Sequence, residues 1–577
     1  MRIGNGSTLL RVLSLVGVFS TSTFCFAGGA DGKTPPSTSY EPVTEQRLLQ
    51  PAAGDWLMYR RTYDGQGYSP LDQINLKNVK DLTPVWAFST GVTAGHEAAP
   101  VINNGIMFVT AAYNKLYALD AKTGTLLWKY AREVPDQALA ELCCDVVNRG
   151  VALYGDKVYM GTHDAHVVAL DARTGKVVWD QKVTDYQNGY AITSAPLIVK
   201  GKVITGVAGG EYGIRGFIEA FDAETGKSLW KTYSIPGPGE AGHDSWPATD
   251  AYKNGGGSTW LAGTYDAQQN LIFWGVGNPG PWAGDVRPGD DLYTDSTIAL
   301  DPDTGQIRMH YQYTPHDLWD YDGVNEAVLV DVDRQGKKVR GWINANRNGY
   351  FYLIDRTNSQ FIYGQPFASP STFLGLDPKT GRPNVDPTKS PEKGKTDTCP
   401  AFLGGKNWMP ISYSPATGFA YVPTNHWCMK ISDLPGDYEA GKMYVRADFE
   451  MHAANPDYVG EFQAIDVATG KKMWSKKYEA PLWAGALSTG GSLVFTGTLT
   501  DRDFTAFNAK TGDVVWKFRT NSGIVGVPVT YTVDGVQYVA ILSGFGGAIP
   551  IWAGPVHDKL TKDIPQGGVV WVFALKK

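Results

Sequence analysis

No uninterrupted apolar stretch in the sequence is long enough to span a bilayer, which argues against a helical membrane protein. Excess positive charge is also missing. The chain has 52 Lys and Arg against 58 Asp and Glu, a formal net charge of −6. That balance argues against nucleic acid or an anionic membrane as a partner. Cysteine is scarce, with five among 577 residues. No C-x-x-C-H occurs, so no c-type haem is attached to this chain. Helix signals are few, with one short candidate at residues 44–50.

What is present begins with an export pattern. Arg2 and Arg11 supply a positive end, Val12 to Phe19 an apolar run, and Phe26-Ala27-Gly28 a small-residue cleavage site. Residues 1–27 are therefore expected to be a cleaved signal peptide. Residues 28–577 are expected to form one periplasmic domain. Losing the two arginines takes the formal charge from −6 to −8. Cys25 leaves with the signal, and Cys143, Cys144, Cys399 and Cys428 remain. An even number in an exported protein suggests disulfides, with three pairings open. Tryptophan, at 18, and glycine, at 67, suit an all-β chain of many short strands.

A repeat supports that class. Asp120-Ala121-Lys122-Thr123-Gly124 precedes Trp128, Asp171 to Gly175 precedes Trp179, and Asp222 to Gly226 precedes Trp230. These aspartates recur every 51 residues. Weaker copies start at Asp301, Asp466 and Asn508, and a decayed one at Asp355. Each copy reads as a strand, a D-x-x-T-G turn with glycine free to take positive φ, and a second strand delivering a tryptophan. One hairpin cannot bury that indole, so neighbours must stack as propeller blades. The spacing suits about seven or eight blades. Strands at Trp56–Arg60 and Val569–Leu575 are expected to meet and close the ring. Residues 360–398, rich in Pro, Gly and Lys, read as a long excursion.

Four motifs carry chemistry. The first is Glu141-Leu142-Cys143-Cys144-Asp145-Val146-Val147-Asn148-Arg149-Gly150, with its adjacent cysteines. The second is Gly257-Ser258-Thr259-Trp260, whose tryptophan lies 18 residues before Asn278. The third is Gly210-Glu211-Tyr212-Gly213, and the fourth is Asp317-Leu318-Trp319-Asp320-Tyr321-Asp322-Gly323. Glu211, Asn278, Asp320 and Asp322 all offer oxygen, which favours a hard cation.

Across most of the chain these motifs resemble the PQQ-dependent (quinoprotein) alcohol and methanol dehydrogenases, of the lanthanide-dependent type. The resemblance implies an eight-bladed β-propeller with tryptophan-docking repeats. It implies pyrroloquinoline quinone (PQQ) held between a Cys143–Cys144 disulfide and Trp260; Trp246 has the wrong spacing for that stacking role. Glu97 and Arg149 would meet the cofactor's edge. Thr193, Ala208, Gly209, Gly210 and Ser258 would form its rim. Asn425 and Trp483 would complete the pocket, and Cys399–Cys428 would be a structural disulfide. Glu211, Asn278, Asp320 and Asp322 would hold one metal ion. In extended chain, residues i and i+2 point the same way, so Asp320 and Asp322 can reach one ion together. The second aspartate favours a lanthanide over calcium, the alternative ion. Asp320 would be the general base and Arg347 would stabilise developing negative charge. The substrate would be a small alcohol, with electrons leaving to a separate soluble cytochrome c. A homodimer is common among such relatives. A propeller that only scaffolds an envelope complex would share the tryptophan repeat but need none of these motifs.

Overall fold

A computed structural model describes residues 40–576; the expected signal peptide lies outside the described residues. Among those residues, eight sheets of four or five strands follow one another along the chain. Their strands pair antiparallel, apart from Tyr68–Ser69, which joins Leu487–Thr489 in parallel. This is the eight-bladed propeller. The blade of Val101–Asn103, Ile106–Ala111, Lys115–Asp120 and Leu126–Ala131 shows how sequence becomes sheet. Ile106–Ala111 is buried throughout, whereas Leu126–Ala131 leaves Lys129 exposed and half-buries Trp128 and Tyr130. Inner strands are thus apolar runs and outer strands alternate.

The turn motif works as its residues suggest. Asp120 Oδ1 accepts from Lys122 N, Thr123 N and Thr123 Oγ1 at 2.8–3.0 Å, and Gly124 takes φ +73°. Each tryptophan then docks on the turn of the next blade. Trp128 Nε1 donates to Ala172 O at 3.0 Å, and a Cβ on Gly175 would lie 2.5 Å from that indole. Trp86, Trp179, Trp230 and Trp474 donate in the same way to Ala121, Ala223, Pro302 and Ala509. The decayed copy has lost its tryptophan, and Tyr363 replaces it by donating to Val467 O at 2.7 Å. Trp128→Ala is expected to cost about 3 kcal/mol, the lower end for deleting a large packed ring, because the indole is half-buried. Chemical denaturation checks this; an unchanged midpoint would contradict the docking role.

Two expectations are corrected. Trp56–Arg60 is not a strand, and its one ladder contact is a bridge from Trp56 to Ile102. Arg60 instead turns inward and donates to the carbonyls of Ile411 and Ala486, so this segment ties two blades together. The ring closes where Val569–Leu575 pairs with Leu82–Ser89 on one side and Val536–Ser543 on the other. Trp516 Nε1 seals the seam by donating to Leu82 O at 3.0 Å. Residues 360–398 are also more ordered than an excursion. They contain the blade strand Phe361–Pro366 and a small hairpin, Phe373–Leu376 with Pro383–Val385. That hairpin turns on another copy of the motif, with Asp377 Oδ1 accepting from Thr380 N and Oγ1. The helix expected at 44–50 is Glu45–Leu49, capped by Thr44.

Both disulfides form, Cys143–Cys144 and Cys399–Cys428. The second closes a separation of 29 residues and fastens Thr396–Thr398 beside Trp427–Asp433.

Candidate active site

The ring places side chains by a simple rule. The loops entering the first strand of successive blades carry Glu97, Arg149, Thr193, Trp260, Asp320, Asn407 and Trp483. The loops between second and third strands carry Ala208 to Glu211, Asn278 and Arg347. Many of these side chains line one cavity of about 280 Å³, Glu97, Arg149, Trp260, Asp320 and Arg347 among them.

One part of the cavity is built on Arg149. Its Nη2 lies 2.8 Å from Glu97 Oε2, and its Nη1 donates to Thr193 Oγ1 at 2.8 Å. The guanidinium sits 4.9 Å from the Trp260 ring and 5.3 Å from Trp408. Burial pushes the Glu97 carboxyl from 4.5 to about 7, against the pull of Arg149. Between those values folded Glu97 keeps a proton that the unfolded chain has lost. Its contribution to stability therefore falls as pH rises from 4.5 to about 7 and is flat above. Unfolding midpoints across that window should fall more steeply for the wild type than for Glu97→Gln. Parallel curves would contradict the assignment.

The other part is acidic. Asp320, at φ +59°, lies with Oδ2 3.4 Å from Arg347 Nη1. Arg347 Nη2 is 2.7 Å from Asp322 Oδ2, so one arginine bridges both aspartates. Asp322 is held on both sides: Oδ2 accepts from Trp260 Nε1 at 3.1 Å and Oδ1 from Asn278 N at 2.8 Å. Close packing fixes the neighbouring loops. A Cβ on Gly210 would lie 3.1 Å from Ser258 Oγ and 3.3 Å from Asn278 Oδ1. A Cβ on Gly277 would lie 2.3 Å from Asp322 Oδ1. Glu211 and the sulfurs of Cys143 and Cys144 lie within 4.8 Å of one another, which places the disulfide across from the acid loops. Burial, then repulsion from Asp322, raises the Glu211 carboxyl. Burial raises Asp320 well above the usual range; Arg347 opposes this, and Asp322 and Glu211 add to it.

These residues fit a cation and a flat anionic cofactor. Asp320 Oδ1 is buried without a hydrogen-bond partner, as are Nε of Arg149 and Nε of Arg347. Asp320 and Asp322 share Arg347, and Glu211 has no cationic partner within salt-bridge distance among the described residues, a charge excess that a hard cation offsets. The indole of Trp260 offers a stacking face.

Thr193, Ala208 and Gly209 line the cavity, while Gly210, Ser258, Asn278 and Asp322 pack together outside its lining. Trp483 lies beside Glu97, against Gly547. Trp246 stays outside, packed on Gly255. Asn425 is not brought to the cavity. Its amide is spent on Leu482, donating to O at 3.0 Å and accepting from N at 2.8 Å. Asn407 lines the cavity instead, with Trp408 and Trp282. The compact Gly404-Gly405-Lys406-Asn407-Trp408 run was the available signal.

A scaffold propeller has no use for buried acids facing arginines and a free indole face. The fold and site define a propeller enzyme whose buried residues fit a flat cofactor and a cation. The family model described as "Glucose/ethanol/alcohol dehydrogenase, beta-propeller domain" matches residues 56–365 and 382–539. Quinoprotein alcohol dehydrogenase PedH of Pseudomonas putida is 48% identical over 540 residues, 89% of this chain and 90% of its own. The lanthanide-dependent methanol dehydrogenase of Methylacidiphilum fumariolicum is 41% identical over 552 residues, 90% of this chain and 89% of its own. A solved europium-containing methanol dehydrogenase superposes with TM-score 0.88 at 39% identity, covering 92% of this chain and 100% of that one. The chain belongs to the PQQ-dependent alcohol dehydrogenase family.

Proposed function

We propose that residues 28–577 form one periplasmic domain, released from a signal peptide at 1–27, that oxidises a primary alcohol to its aldehyde. PQQ and one lanthanide ion are its cofactors, and a separate soluble cytochrome c takes the electrons. The buried Asp320–Arg347–Asp322 bridge carries this reading. Glu211, Asn278, Asp320 and Asp322 would hold the ion. Glu97, Arg149, Thr193, Trp260 and the Cys143–Cys144 bridge would hold PQQ, with Asn407 added and Trp483 behind Glu97. When bound, PQQ polarised by the cation supplies the acceptor for the alcohol's hydride. Asp320 would accept the hydroxyl proton, and its carboxylate would be held ionised against burial by a cation bound beside it. Arg347 sets positive charge beside that reaction centre. The indoles of Trp282 and Trp408 in the cavity lining limit water.

One observation favours calcium as the second reading. Asp322 already receives three donors, from Trp260, Asn278 and Arg347, and can serve as their anchor while three ligands hold a divalent ion.

The experiment isolates the mature protein from osmotic-shock fluid, loads it with PQQ and lanthanum, and adds ethanol with a soluble c-type cytochrome. The expected result is a chain beginning at Gly28 that reduces the cytochrome. Ethanol oxidation with an artificial dye but never with a cytochrome would remove the proposed acceptor.

A further inference from the structure

The adjacent cysteines sit on a turn that more than their own bond holds. Cys143 and Cys144 have Cα atoms 3.8 Å apart, and the next residue, Asp145, takes φ +75°. That left-handed conformation is uncommon for a residue with a side chain. The Asp145 carboxylate supports it locally, with Oδ1 accepting from Val146 N at 2.7 Å. Val146 O in turn accepts from Tyr113 N at 3.0 Å.

The second carboxylate oxygen reaches two segments remote in sequence. Oδ2 accepts from Gly547 N at 2.8 Å and from Gly95 N at 3.4 Å. These two segments meet backbone to backbone. A Cβ on Gly95 would lie 2.7 Å from Gly547 N, and a Cβ on Gly546 would lie 2.2 Å from Gly95 N and 2.8 Å from Asp145 Oδ2. Glycine at these positions lets both amides converge on one oxygen. Gly547 precedes the helix Ala548–Trp552, and Trp552 Nε1 donates to Cys143 O at 2.9 Å. The turn is thus clamped on both sides of the sulfurs, at Cys143 by Trp552 and at Asp145 by Gly95 and Gly547.

Hydrogen bonds to an ionised carboxylate are the strong class, and here they come from three separate segments. Contacts that hold the turn in its bonded shape favour the disulfide over the two thiols and lower its reduction potential. We propose that Asp145 is a positioning residue whose carboxylate locks the Cys143–Cys144 turn onto loop 95–97 and segment 546–552 and keeps that pair oxidised. The inference holds whether or not the site oxidises an alcohol.

The test equilibrates the mature protein with dithiothreitol buffers of graded potential, alkylates the thiols and measures each cysteine peptide by mass. Each reduction gives the pair two electrons and two protons and leaves dithiothreitol as its cyclic disulfide. Wild type, Asp145→Ala and Asp145→Asn are compared. Asp145→Ala is expected to make Cys143–Cys144 about tenfold or more easier to reduce, about 30 mV for this two-electron couple. Asp145→Asn, with one acceptor oxygen in place of two, should fall between. Cys399–Cys428 lies elsewhere and should titrate alike in all three, which separates a local clamp from a loosened fold. If Asp145→Ala fails to fold, Asp145→Asn decides, with an expected shift of about threefold or more. An unchanged or lowered potential at Cys143–Cys144, or equal shifts at both disulfides, would overturn the clamp.

Discussion

Asp320→Ala is expected to lower kcat by about 10²–10⁴-fold, the usual contribution of a positioned base, while the protein still binds PQQ. The expectation rests on how the chain holds this residue. Asp320 is buried, takes a left-handed backbone conformation, and leaves Oδ1 without a partner. Burial raises its carboxyl well above the usual carboxylate range. A base must be ionised, so the site works only when Arg347 and a cation together outweigh burial and the repulsion of Asp322 and Glu211. Asp320→Asn keeps the shape but cannot take the proton, and should lose nearly as much. Cofactor binding followed by absorbance separates the roles, because Arg149, Glu97 and Trp260 remain in both variants. More than a tenth of wild-type turnover in either would remove Asp320 as base.

Asp322→Ala should lower lanthanide-supported activity by about 100-fold, the upper end for loss of groups that position metal ligands. Asp322 touches Asn278 N, Trp260 Nε1 and Arg347, so it orders one proposed ligand loop, the stacking indole and the arginine at once. The calcium arm of the same assay separates two roles. If Asp322 is a ligand that a trivalent ion needs, calcium-supported activity holds steady or rises. If it is only an anchor, both activities fall together. Metal affinity by titration should follow the same split.

Much of this was legible from residues alone because its signals are local. A D-x-x-T-G turn makes its own hydrogen bonds, as Asp120 does, and the interval to the tryptophan sets the hairpin. The acid and cysteine motifs are also short, and the ring brings them together by the repeated use of the same two loops. What was missed depends on distant partners. Leu82–Ser89 closes the ring with Pro84 inside it, which its place at the edge of the sheet and the register shift beside Pro84 both allow. Asn425 and Asn407 both sit near blade strands, and only tertiary packing turns one toward Leu482 and leaves the other at the cavity. The aromatic lining of the cavity draws Trp282, Phe402, Phe449 and Trp552 from segments far apart in sequence, so no local pattern announces it.

The most direct test of the account is dye-linked ethanol oxidation by the PQQ-reconstituted protein, with lanthanum in one sample and calcium in another. Turnover is expected with lanthanum and little with calcium. Turnover with calcium alone would contradict the role given to Asp322.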